Sequence, residues 1–164
     1  MTATLVVPSR SGSPVDERVL TFVRPIIGFG GSARYRLCGL GETYAPFAAL
    51  SSVDEEGLAF VVVAPGALFD DYVIEIPEAE AALLELVSPE DVEVLTLVTR
   101  RLGASPVANL MGPVVVNRQT LQACQVVLQN APYGVAVPVD AGSARASSAD
   151  SSGGGAAGGT PARD

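Results

Sequence analysis

The chain is 164 residues long and 48% hydrophobic, and it carries a formal charge of −8 from 18 acidic side chains against 10 basic ones, all of them arginine. That length suits one domain with a single core, and no stretch approaches the roughly 18 consecutive apolar residues of a membrane span. With no His and no Lys, the sequence excludes Ser-His-Asp and Cys-His nucleophiles, an imidazole base, His-containing zinc sites, lysine Schiff bases and Walker-type phosphate loops.

The start, Met1 to Pro8, lacks the charged region and long apolar core of a secretion signal, so an unexported, cytoplasmic protein is expected. Short runs rich in Val, Ile, Leu and aromatics, bounded by Gly, Pro, Asp and Asn, predict strands at 4–7, 19–23, 35–40, 47–53, 58–63, 72–76, 92–99, 107–110, 114–116 and 121–128. Between the second and third, Gly28-Phe29-Gly30-Gly31-Ser32-Ala33 matches G-x-G-x-x-A, a spacing that lets backbone approach a pyrophosphate. A strand-like Arg34-Tyr35-Arg36-Leu37 follows where a dinucleotide fold needs a helix, so a glycine-rich connection is expected instead. Arg34 and Arg36 share a strand face, where they either meet phosphate or guard a sheet from edge pairing. The other arginine pair is Arg100 and Arg101. Cys38 and Cys124 lie in apolar runs far apart, as two free thiols or one long-range disulfide; free thiols are the simpler reading for a reducing compartment.

Asp54-Glu55-Glu56-Gly57 has the composition of a hairpin turn, with Gly57 able to take a positive φ. Of the 18 acids, 12 fall between Asp54 and Glu93, and no base occurs from Leu37 to Thr99. This distribution opposes direct nucleic-acid binding; it either favours a basic protein partner or simply solvates a surface. Neither this turn nor Asp70-Asp71 has the alternating spacing of a calcium loop, and no metal or cofactor is expected. A helical turn is expected at 66–70. One helix is predicted where Pro77 suits the first position, Glu78 and Glu80 suit the positive end of the dipole, and good helix formers run from 79 to 86. It would turn Leu83, Leu84 and Leu86 to a sheet before Pro89 stops it. Asn117-Arg118-Gln119-Thr120 turns the chain between two further strands. No G-x-S-x-G elbow occurs, and a catalytic carboxylate pair needs a separation that sequence does not set.

From residue 140 onward the only apolar side chains are those of Ala and Pro161, too little to offset ordering entropy. The expectation is a mainly β domain over 1–139, a small antiparallel β-barrel-like or sandwich fold with one or two short helical insertions. A disordered Gly/Ser/Ala-rich tail would occupy 140–164.

Several segments, read in order, carry a family resemblance: Leu20-Thr-Phe-Val-Arg-Pro-Ile-Ile-Gly-Phe29, Leu50-Ser-Ser-Val-Asp54, the run from Leu58 to Tyr72, Ser88-Pro-Glu-Asp-Val92, and Asn109-Leu-Met-Gly-Pro-Val-Val-Val-Asn117. With Gln125 to Leu128, Tyr133 and Pro138 they match the order and spacing of the FliW family from about Leu20 to Val139. The chain departs from that pattern at Ile26-Ile27, where the family usually has Leu-Pro. It also departs at Gly134 to Val137, uncharged where a basic residue is common. The resemblance implies a flagellar assembly factor without catalytic activity that binds flagellin and the RNA-binding regulator CsrA. It would stop CsrA from repressing flagellin translation until new flagellin competes for it, with no direct nucleic-acid or membrane contact. The family motifs nominate Phe29, Asp71, Tyr72, Asn109, Pro113 and Asn117 as partner-binding, and the acidic turn adds Asp54, Glu55 and Glu56. Each also has a structural reading, as a core aromatic, a turn amide or a solvated acid. The alternatives are a flagellin chaperone without a CsrA role and an unrecognised small β-barrel enzyme.

Overall fold

The computed structural model describes residues 5–8, 17–69, 72–100, 103–129 and 131–139; Thr4, Asp70, Asp71, Arg101 and the tail expected from 140 lie outside them. The elements are β1 (Leu5–Pro8), β2 (Arg18–Phe22), β3 (Arg34–Gly39), β4 (Ala48–Ser52), β5 (Ala59–Val63) and β6 (Val73–Ile76). They continue as α1 (Glu78–Leu83), β7 (Val92–Thr99), β8 (Val107–Ala108), β9 (Val114–Asn117), β10 (Gln122–Gln125) and β11 (Val137–Pro138). Alternation decides the strands: β3 buries Tyr35 and Leu37 between exposed Arg34 and Arg36, and β2 buries Leu20 and Phe22 between exposed Val19 and Thr21.

Seven strands run in the order β7-β5-β4-β3-β2-β10-β9, and β9 pairs back onto β7, so the sheet closes into a barrel. The pairings are antiparallel except β2 with β10. The eight-residue β7 makes the closure possible. Along one edge, Thr96 to Val98 meet β5; along the other, Val92 to Leu95 meet β9 before Val98 and Thr99 pass to β8. β8 carries β11, and β1 with β6 forms a separate two-stranded sheet. Because β3 is flanked on both sides, Arg34 and Arg36 guard no sheet edge; they pair with Asp54 and Glu17.

Two apolar clusters result. The barrel interior holds Leu20, Phe22, Ile26, Tyr35, Leu37, Leu50, Val62, Leu95, Val114 and Val116, with Ala48 and Ala123. The second lies outside the barrel wall, where β6, α1 and the β8–β11 flap cover Val63, Val92, Val94, Val115, Cys124 and Val126. β9 therefore reads as an unbroken apolar run because both of its faces are covered. Arg24 ties α1 to the barrel through Glu80 (3.0 Å) and contacts the Cys124 sulfur at 3.9 Å. Both cysteines are free thiols.

The helix is shorter than predicted and ends in a Schellman motif. Glu85 takes a left-handed φ of 56°, Leu86 N–H donates to Ala81 O, and Glu85 N–H donates to Ala82 O. That turn, not helical periodicity, buries Leu84 and half-buries Leu86, while Leu83 is 40% exposed, against the expectation that it faces the sheet. The helical turn expected at 66–70 is a single 3-10 turn, Pro65–Ala67. β8 stops at Ala108 because the Asn109 side chain accepts from Met111 N–H (3.0 Å) and Gly112 N–H (3.1 Å), curling the chain. β11, a two-residue strand, lies in the apolar run Val135 to Val139, which Pro138 interrupts and which the expected strands did not include. On the outer sheet, Val73 stands opposite Pro8, which has no N–H; its own N–H and C=O both bond the Tyr133 hydroxyl, at 3.0 and 3.1 Å.

Candidate functional site

Strand register gathers the loops. Thr21 opposes Arg34, Tyr35 opposes Ser52, Ser51 opposes Ala59, and Gln125 opposes Val114. The 23–33 loop, the 53–58 turn and the 109–113 turn therefore surround the same end of the barrel. An aromatic column fills that end: Phe22 meets Tyr35 at 5.1 Å, Tyr35 meets Phe60 at 6.0 Å, and Phe60 meets Phe29 edge-on at 4.9 Å. Phe29 thus continues the core outward while remaining 40% exposed, and its neighbour Ile27 is 62% exposed. The G-x-G-x-x-A match belongs to this loop and leads into β3, as the sequence reading expected.

The acidic turn is built by backbone hydrogen bonds. Ser52 Oγ accepts from Asp54 N–H (3.1 Å) and Glu55 N–H (2.8 Å) and bonds the Ser32 hydroxyl, while Gly57 takes a φ of 87° that a Cβ would oppose. Its three acids have different surroundings. Asp54 accepts from Ala33 N–H (3.0 Å), Arg34 N–H (2.9 Å) and the Arg34 guanidinium (2.8 and 3.2 Å). Those two backbone donors, with Arg34 assisting, hold its carboxyl down at about 2. Glu55 reaches back over the loop, its Oε1 3.4 Å from where a Cβ on Gly31 would stand. Among the described residues no ion pair engages Glu55 or Glu56, both of which are exposed.

The other nominated residues divide by position. Asn109 and Pro113 adjoin the rim through Gln125, whose Oε1 accepts from Ile27 N–H (3.1 Å) and whose Nε2 donates to Gly112 O (3.0 Å). Pro113 is buried and its carbonyl accepts from Val126 N–H. Tyr72 is buried under that turn, donating to Leu110 O at 2.6 Å and packing on Tyr133 at 4.6 Å; burial pushes its phenol well above the ordinary value. Asn117 lies at the far end. Its Nδ2 donates to Leu84 O (2.7 Å) and Glu85 O (3.3 Å), and its Oδ1 accepts from Gln119 and Thr120 N–H. Asp71 lies outside the described residues. At that far end Arg18 grips both carboxylate oxygens of Glu93, at 2.6 and 2.9 Å. The sequence reading missed this pair and Gln125; the one signal was a polar side chain inside an apolar strand.

Among the described residues no group of three or more Cys, Asp or Glu is placed to hold a metal, and no helix is long and apolar enough to cross a membrane. The fold and its rim define a small closed β-barrel that offers exposed apolar side chains and exposed acids at one mouth. The FliW protein family model matches residues 12–139, and the chain belongs to that family of flagellar assembly factors. The Flagellar assembly factor FliW of Bacillus subtilis is 38% identical over 128 residues, covering 76% of this chain and 87% of that one. That of Bacillus licheniformis is 37% identical over 125 residues, with the same coverage. The crystal structure of a flagellar assembly factor FliW superposes with a TM-score of 0.68 at 24% identity, over 81% of this chain and 95% of the other, and shows the barrel fold.

Proposed function

We propose that this protein is a non-catalytic, cytoplasmic flagellar assembly factor that binds flagellin and antagonises CsrA, relieving repression of flagellin mRNA translation. The observation that supports it is the pair of carboxylates, Glu55 and Glu56, that no ion pair engages among the described residues, in a stretch from Leu37 to Thr99 that contains no base. A protein that holds RNA through basic side chains is attracted to such a surface. Once docked, the acids also repel RNA phosphate within a Debye length of about 8 Å at physiological salt. Newly made flagellin then competes for the same factor. The test is calorimetric titration of the full chain with flagellin and, separately, with CsrA encoded by the same genome, each at two salt concentrations. Binding to both, with CsrA affinity falling as salt rises, is the expected result. Binding to flagellin alone would reduce the function to that of a chaperone, and binding to neither would overturn it.

A further inference from the structure

We infer that the barrel rim formed by Ile27, Phe29 and Val127 with Glu55 and Glu56 is the docking surface, and that its occupant is a cationic amphipathic segment of a protein partner. Such a segment sets one or two large apolar side chains beside Arg or Lys. This rests on the protein-binding reading above and deepens it by naming the surface and the chemistry it accepts.

Three observations converge on the rim. The first is apolar exposure: Ile27 is 62% and Phe29 40% exposed on the loop that Gln125 pins, and Val127, 49% exposed, lies two residues beyond Gln125. Apolar side chains scattered singly over a surface are ordinary, whereas a group rimmed by acids marks contact with a partner. The second is rigidity. The loop is pinned at Ile27 N–H by Gln125, at Phe29 N–H by Ile26 O (2.8 Å), and at Ala33 and Arg34 N–H by Asp54. A surface already fixed loses little conformational freedom on binding. Phe29 is braced from behind by Phe60, so its exposed edge is held in place.

The third is charge. Arg34, which flanks the turn, is already held by Asp54, and Glu55 and Glu56 meet no cation among the described residues. Carboxylates at the border of an apolar patch select Arg or Lys at the border of the partner's apolar contact and repel acidic partners. An apolar segment without bases would leave those acids uncompensated. A purely basic one would leave Ile27 and Val127 in water.

The test uses the full chain and its Ile27→Ser and Glu55→Arg/Glu56→Arg variants, with Val87→Ser as the control. Val87 is more exposed, at 84%, but sits in the α1–β7 connection, away from the rim. Far-UV circular dichroism establishes that each variant keeps the β fold, and each is then titrated with flagellin and with CsrA. Ile27→Ser is expected to raise Kd about tenfold for the partner that docks here, as loss of a buried interfacial side chain does. Glu55→Arg/Glu56→Arg is expected to raise it at least as far at low salt and to flatten its salt dependence. Val87→Ser should leave Kd unchanged. Parent-like affinity in both rim variants would overturn the surface while leaving the partner reading intact. A parent chain that binds neither protein would overturn both. Loss on Ile27→Ser without any effect of the double reversal would overturn the cationic nature of the occupant.

Discussion

Asp54 accepts hydrogen bonds from two successive backbone N–H groups and from the Arg34 guanidinium, so its carboxylate fixes the rim. Its folded-state value near 2 lies below the ordinary 3.8. Between those values the unfolded chain binds more protons, so stability drawn from Asp54 is full above 3.8 and is lost as pH falls through about 2. Asp54→Ala should therefore lower the urea midpoint at neutral pH, and the gap from the parent should close in acid. Asn117→Ala strands the carbonyl of Leu84 and the N–H groups of Gln119 and Thr120, an expected loss of about 2–4 kcal/mol in denaturant unfolding at unchanged m. Burial raises the Cys124 thiol, with Arg24 only partly opposing it, while Cys38 is half-buried. A thiol reagent should accordingly label Cys38 first and Cys124 only on unfolding. The roles of Asn109 and Asn117 as turn amides were legible, because Asn at a strand end has few other uses. Gln125 was not, because nothing local says which loop a glutamine reaches.

At the scale of elements, β2 to β5 and β7 were readable almost to their ends from runs of Val, Ile, Leu and aromatic residues bounded by turn residues. What failed was orientation where periodicity runs out. Leu83 and Leu84 are adjacent, yet only the second is buried, because a left-handed Glu85 ends α1 one residue beyond it. Leu84→Ala is expected to cost about 2–5 kcal/mol and Leu83→Ala under about 1 kcal/mol, measured side by side by urea titration. Glycine at position 85 accepts the left-handed backbone without a Cβ penalty, so Glu85→Gly should gain up to about 1 kcal/mol despite its more flexible unfolded state.

Across the whole molecule, β7 and β9 contribute side chains to both apolar clusters: Leu95, Val114 and Val116 inside the barrel, Val92, Val94 and Val115 outside it. Neither cluster can be lost while the other keeps its strands. Val114→Ala and Val115→Ala should therefore weaken one shared transition, by about 1–3 kcal/mol each, without splitting it. Coincident curves from tyrosine fluorescence and far-UV circular dichroism would establish this; separated curves would refute it. Sequence pattern supplied the strands and their class but not this closure, since pairing β9 with β7 depends on contacts that no local run encodes.

The Tyr133 hydroxyl occupies both backbone groups of Val73 on the side of β6 away from β1. One oxygen thus meets, at Val73, the two backbone groups that a neighbouring strand would otherwise meet. Tyr133→Phe would release one donor and one acceptor there while keeping the ring against Tyr72. Sedimentation velocity at rising concentration should then show more self-association in the variant than in the parent, a consequence of two backbone groups left open at one strand margin.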